Sequence, residues 1–286
     1  ARNAKGSATR ELRLVVGDTI GLTPPLGWNS YNVWSDQVTQ ERALAAARAM
    51  VSSGLADHGW TYVNLDDGWQ GKRALKGDQA LQPNLTRFPD IKAMIDEIHG
   101  MGLKVGIYHS PWVVTYAGRL GGSAENPQGA SQEWPRDLPK NAKQLPFTIG
   151  HYRFTQADAE QFARWGIDYL KYDWGPVEYP ETKEMYDALR AQPRDIFFSL
   201  SNNHVKNLYA GIEEVSTVAN AWRTTTDIVD NWGRVANDIG FAQDRWAKYA
   251  RPGHFNDADM LVVGLVGWGP TKLHPTRLTP DEQYSH

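Results

Sequence analysis

Short runs of apolar residues alternate along this chain with longer stretches in which apolar positions recur every three to four residues. That alternation predicts repeated β-strand and amphipathic helix units joined in parallel, not hairpins. Seven such units can be placed. Strand 25–30 leads to a helix capped by Thr39 and ended by Gly54; strand 60–66 leads to a helix starting near Pro89; strand 103–108 leads to a helix capped by Thr155. Strand 167–173 precedes a helix from about Glu181, strand 195–201 a helix after His204, and strand 219–223 helices within 230–250. The seventh strand is 254–259. After it, Thr279-Pro280-Asp281-Glu282 has the capping-box pattern, with Pro at the first helical position. Leu44, Met50, Ile91 and Met94 fall on the apolar faces of their helices and are expected in the core.

Seven units at this spacing describe an α/β chain of the TIM (β/α)8 type whose eighth strand is missing. An unclosed barrel exposes two sheet edges, so the chain is expected to be part of a longer protein. Residues 19–286 are assigned to the incomplete catalytic barrel and 1–18 to the remnant of an upstream module or linker. Within the latter, residues 10–16 alternate like a strand that either caps the barrel or closes an upstream β-sandwich, the second being favoured. The connection 109–154 is long, rich in Gly, Pro and Asn, and carries Trp112, Tyr116 and Trp134; its position after strand three makes it a candidate lid.

Composition narrows the function. The 30 Lys plus Arg nearly balance 33 Asp plus Glu and form no basic cluster, which argues against nucleic-acid binding. The longest apolar run, 260–268, is too short to span a bilayer and contains Gly264 and Gly267, so no membrane partner is expected. Without cysteine there is no disulfide, thiolate nucleophile or Cys-based zinc site. No HxH or HExxH pattern occurs among the eight histidines, so neither metal nor cofactor is expected; His109 and His254 read as packing or sugar-contacting residues. Twelve Trp and twelve Tyr suit either packing or stacking on sugar rings. The sequence leaves the oligomeric state unspecified.

In a TIM barrel the site lies at the C-terminal strand ends. Those ends deliver Asp66 and Asp67 (strand two), Tyr108 (three), Lys171 and Asp173 (four), Arg223 and, beyond it, Asp227 (six), and Asp259 (seven); Tyr31 follows strand one. Acids with an aromatic wall suit a polyhydroxylated ligand. Glycoside hydrolysis needs two carboxyl groups, about 5 to 5.5 Å apart in retaining enzymes, and Asp173 and Asp227 are the candidate pair. Lys171, two positions before Asp173 and on the same strand face, is expected to keep it ionised as a nucleophile. Asp227 is the candidate acid, with burial or a neighbouring carboxylate raising its pKa. The alternative for any one of these acids is a structural one, as a helix cap or, for Asp66 and Asp67, a salt bridge at the barrel mouth.

The strings PPLGWNSYNVW, YVNLDDGWQ, KVGIY, YLKYDWG, WRTTTDIVDNW and GHFNDADML, in this order, resemble family 27 glycoside hydrolases, the α-galactosidase and α-N-acetylgalactosaminidase group. The resemblance covers the chain from about residue 22 onward, while the first seventeen residues resemble the last strands of an Ig-like module. It implies a retaining enzyme releasing terminal α-linked galactose from oligo- or polysaccharides through a covalent intermediate on Asp173, with Asp227 as acid/base. It further implies that Asp66 and Asp67 bind the O4 and O6 hydroxyls and that Tyr31, Tyr108, Lys171 and Arg223 occupy further pocket positions; Asp259 is added as a substrate-binding candidate from its place at the end of strand seven. Ser201 stands where many α-galactosidases carry a Glu touching the C2 substituent. A small residue there resembles the N-acetylgalactosaminidase pattern, unless Asn202, Asn203 or the long loop rebuilds the contact, which is the favoured reading. Trp174-Gly175 replaces a region that holds a disulfide cysteine in many eukaryotic members, and NDADML replaces the family's NDPD pattern. β-L-Arabinopyranosidase activity, known in the same family, and a non-catalytic sugar-binding barrel remain alternatives. A periplasmic or secreted location is expected by analogy.

Overall fold

The computed structural model describes residues 2–3, 6–7, 20–74, 79–127, 129, 147–201 and 205–286, with residues 2, 3, 7 and 205–209 described by backbone only. Seven parallel strands form one curled sheet, a half-closed (β/α) barrel. They are β1 Leu26–Asn29, β2 Trp60–Leu65, β3 Lys104–His109, β4 Tyr169–Asp173, β5 Phe197–Ser201, β6 Ala221–Arg223 and β7 Phe255–Asp257, adjacent in chain order. β1 and β7 are its outer strands. Helices α1 Gln40–Ser52, α2 Ile91–Gly100, α3 Thr155–Trp165, α4 Tyr179–Arg190 and α5 Val205–Val215 connect the first six strands.

The sequence explains the local geometry. Thr39 Oγ1 accepts the Arg42 amide at 3.3 Å to start α1, and Gly54 follows its end at φ +81°. Asp90 caps α2 through the Ala93 amide at 2.9 Å. At α3 the expectation shifts by one residue: Thr155 is the first helical residue, and its hydroxyl donates instead to Glu184 of α4 at 2.6 Å. The Thr279–Glu282 capping box forms at the helix Pro280–Ser285. Between β6 and β7 the expected helices are short pieces: an α turn Trp232–Arg234, a π-helix Val235–Phe241 and a 3-10 helix Asp244–Tyr249. The strand expected over 10–16 lies outside the described residues; before it, Arg2–Asn3 and Gly6–Ser7 pair antiparallel. No described helix is long and apolar enough to cross a membrane.

Period-two alternation sorts each strand between core and barrel interior. On β4 the even set, Leu170 and Tyr172, packs outward into the main core with Leu44, Met50, Ile91 and Met94, as expected for those four. Tyr169 points inward, stacked on Phe197 with ring centroids 5.5 Å apart and joined by Tyr62, Ala221 and Phe255. These rings fill the floor of the half-barrel. Gly106 of β3 belongs to the same layer: a Cβ there would come within 2.0 Å of Asn64 Oδ1 and 2.9 Å of the Tyr169 ring, so only glycine fits beside Tyr169. Above that floor the same inward set supplies Lys171 and Asp173, which is how an apolar strand comes to present two ionisable groups.

Candidate active site

A cavity of about 410 Å³ opens over the C-terminal ends of the strands, the size expected for a small ligand. Nine of the ten predicted residues line it: Tyr31, Asp66, Asp67, Tyr108, Lys171, Asp173, Arg223, Asp227 and Asp259. Ser201 does not; it is buried on β5, opposite Asp173 in register, with its hydroxyl unpaired among the described residues. Its neighbours Asn202 and Asn203, expected to help rebuild the C2 contact, lie outside the described residues.

Asp66 sits at the end of β2, buried. Its Oδ2 accepts Lys171 Nζ at 2.7 Å and its Oδ1 accepts the Asp67 amide at 2.8 Å, while its own amide donates to Ser30 Oγ at 2.9 Å. The expectation that Lys171 serves Asp173 is therefore corrected: its direct ion pair is with Asp66, which lies nearer its ammonium group. Burial by itself would lower the Lys171 pKa, but Asp66 and Asp173 together outweigh it and hold the amine protonated. Burial raises the Asp173 carboxyl above its ordinary range, against the pull of Lys171 and Arg223, so the cation moderates that rise without cancelling it. Asp173 Oδ1 and the Tyr108 hydroxyl are both buried and neither makes a well-formed hydrogen bond among the described residues, although the hydroxyl stands close enough to Asp173 to lower its pKa. Buried polar atoms are costly to leave unpaired, so both suit a polar ligand in the cavity.

Asp67 is held by the connection after β3. Thr115 Oγ1 donates to its Oδ1 and the Ala117 amide to its Oδ2, both at 2.8 Å. Burial raises its pKa to about 7, opposed by those two bonds and reinforced by Asp66 and Asp173. A carboxyl raised above its unfolded value stabilises the fold below about pH 4, and that contribution is lost as pH rises toward 7. Stability measured by urea titration should therefore fall over pH 4 to 7 in the wild type, and Asp67→Asn should remove part of that slope. An unchanged slope would show that Asp67 titrates as it does in water.

Asp227 differs from its expectation. It lies past the end of β6 at the cavity rim, its side chain 66% exposed, and pairs with Arg223 Nη2 at 2.8 Å; the expected burial is not there. Arg223 also reaches Asp259 at 3.4 Å. Asp259 adopts φ +76°, a left-handed conformation that turns its carboxylate back to accept the Ile228 amide at 2.8 Å. The β6 and β7 ends are thereby joined through the residue next to Asp227.

The candidate lid is partly a packed wall. Trp112 is buried in the core rather than poised over the cavity, with Tyr116 and Phe147 against it at 5.2 and 4.8 Å between centroids, and Ser123–Ala124 pairs with Tyr152–Arg153. Trp134 lies outside the described residues. His109 is fully buried, 3.1 Å from Asp158, which makes it a packing residue; His254 bonds the Ala219 carbonyl at 2.7 Å. Tyr116 of the candidate lid lines the cavity, and so do Asn32, Ile228, Val229, Met260 and Trp268, which the sequence reading does not assign to it. Ile228 and Met260 adjoin predicted acids and were within reach of the same reasoning; Trp268 lies in an apolar run that shows no strand or helix period. Among the described residues no group of three or more His, Asp or Glu side chains is placed to hold a metal ion.

A parallel barrel sheet that presents clustered carboxylates and aromatics at its C-terminal face defines a TIM-barrel protein with a site for a small polar ligand. The family model described as alpha galactosidase A (Melibiase_2) matches residues 32–142 and 140–274. The chain is 36% identical to an alpha-galactosidase of Cyamopsis tetragonoloba over 96% of its own length and 57% of the relative's, and 35% identical to alpha-galactosidase 2 of Arabidopsis thaliana over 96% and 60%. Among solved structures, alpha-galactosidase I from Mortierella vinacea superposes with TM-score 0.69 at 32% identity, covering 87% of this chain and 62% of that one. The GH27 β-L-arabinopyranosidase of Geobacillus stearothermophilus gives TM-score 0.68 at 25% identity, covering 92% and 67%. The chain belongs to this family, glycoside hydrolase family 27, and spans less than two thirds of the length of the curated relatives it matches.

Proposed function

We propose that the intact protein is a retaining α-galactosidase that removes terminal α-linked galactose from oligo- or polysaccharides. The observation that carries this reading is the buried, unpaired carboxylate oxygen of Asp173 in a cavity that also holds the exposed carboxylate of Asp227. In the first step an Asp173 oxygen attacks the anomeric carbon, the bond to the leaving oxygen breaks, and the Asp227 carboxyl delivers its proton to that oxygen. In the second, Asp227 takes a proton from water, which attacks the anomeric carbon and releases Asp173. Two inversions give net retention. Asp66, Asp67, Tyr108, Lys171, Arg223 and Asp259 bind sugar hydroxyls, with Tyr31 as part of the aromatic wall, and no cofactor takes part. By analogy with the family we place the protein in the periplasm or outside the cell.

Ser201 supports a second reading. A small residue beside Asp173 leaves room at C2, which favours an α-N-acetylgalactosaminide. The test compares p-nitrophenyl α-galactoside, its α-N-acetylgalactosaminide and the β-L-arabinopyranoside on the intact protein, with the first product anomer followed by NMR. The α-galactoside should be cleaved preferentially and release α-galactose first. Preference for either other glycone reassigns the substrate, β-galactose as first product rejects the retaining mechanism, and no cleavage of any rejects catalysis.

A further inference from the structure

We infer that Trp268 is the stacking platform for the leaving group, the residue that makes a second sugar unit a better aglycone than a small one; the inference rests on the proposed hydrolytic role of Asp173 and Asp227. Trp268 is half-buried, lines the cavity, and stands at φ +53°, a left-handed conformation that is rare for a bulky side chain and unfavourable unless the surroundings hold it. Its backbone is held there. The Gly267 and Trp268 amides both donate to the Asn32 carbonyl, at 3.0 and 2.9 Å, and the Gly269 amide to the Val33 carbonyl at 3.2 Å. Gly267 itself has φ +150° and would bring a Cβ within 2.3 Å of the Lys272 carbonyl, so the turn admits no side chain there.

The side of the cavity follows from what Trp268 rests on. Its ring packs against the small apolar cluster of Ile228, Val235, Val262, Val266 and Leu278, and Ile228 directly follows Asp227. Buried Asp230 ties the two segments together: its Oδ2 accepts the Arg277 amide at 2.9 Å and meets His274 Nε2 at 3.2 Å, and His274 pairs with Val266 in the ribbon that carries Trp268. Trp268 and Asp227 thus sit on one unit. The group that protonates the departing oxygen lies beside the leaving group, so an aromatic face that shares its support is placed to meet that group. Pyranose rings present an apolar CH face that an indole can cover.

The test uses the intact protein with melibiose, whose leaving group is glucose, and α-galactosyl fluoride, whose leaving group has no ring to stack. Trp268→Ala should lower kcat/KM for melibiose by roughly three- to tenfold, the scale of one aromatic stack, and leave the fluoride within about twofold. Trp268→Phe should recover most of the loss. An equal loss on both substrates, or no loss on either, overturns the inference, as does a Trp268→Phe variant as impaired as Trp268→Ala while both stay folded by circular dichroism. If the wild type cleaves neither substrate, the hydrolytic reading itself fails, which the nitrophenyl panel detects independently.

Discussion

Replacing Asp173 by glycine should lower kcat on p-nitrophenyl α-galactoside by at least about 10⁴-fold, because deleting the proposed covalent nucleophile leaves only binding and electrostatic contributions. The residue is already buried with one oxygen unpaired, so glycine removes a carboxylate and opens space for a small anion where Oδ1 stood. Azide should enter that space and restore part of the rate, yielding β-galactosyl azide, since attack comes from the nucleophile's face. Asp227→Gly provides the complementary result. Its loss should be about 10² to 10⁴-fold and depend on how poor the leaving group is, and azide should give the α-azide by attacking the intermediate from the opposite face. Product stereochemistry, read by NMR, separates the roles without relying on rate alone. The same azide product from both variants would reject the assignment, and substantial hydrolysis by Asp173→Gly would remove Asp173 from the chemistry.

The parallel strands and the acids at their ends were legible because both follow from local pattern. A strand that must be apolar on its helix-facing side and still shows Lys171 and Asp173 two positions apart announces an interior face with chemistry on it. What local pattern could not supply was partnership. Lys171 lies two positions from Asp173 in the chain, yet its closest carboxylate belongs to Asp66, 105 residues away, and only the curl of the sheet decides between them. Thr155 shows the same limit on a smaller scale: its type predicts a cap, but Glu184 on the next helix takes its hydroxyl. Trp268 escaped notice for a different reason. Residues 260–268 read in sequence only as an apolar run broken by glycines, and the left-handed turn that aims the indole depends on carbonyls of residues 32 and 33, far away in sequence. The ribbon of Gln70–Arg73 with Leu81–Pro83 was missed likewise, because both strands are too short to show a period.

That ribbon carries the second large effect. Arg73→Met should destabilise the protein by about 3 to 5 kcal/mol, the cost of stranding one member of a buried ion pair. Arg73 Nη1 and Nη2 meet the Asp158 oxygens at 2.6 and 2.9 Å, with both side chains almost wholly inaccessible. Nη2 also donates to the Gly121 carbonyl at 2.5 Å, the Leu81 amide donates to Asp158, and His109 at the end of β3 stands 3.1 Å from it. One carboxylate on α3 therefore ties the ribbon to the connection after β3 that reaches Asp67. Burial pushes the Asp158 pKa up, but Arg73 and His109 more than offset it and hold it at about 2. A depressed carboxyl contributes stability above its unfolded value near 4, and that contribution is lost as pH falls toward 2. In Arg73→Met the same burial has lost its main opposing charge, so Asp158 should titrate above 4 and cost stability as pH rises. The gap between wild type and variant in urea unfolding should accordingly be widest near pH 7 and close toward pH 2, and adding Asp158→Leu should recover much of it at neutral pH. A gap of constant size across that range would mean that lost packing around the Arg73 stem, and not the charge pair, holds this wall of the cavity in place.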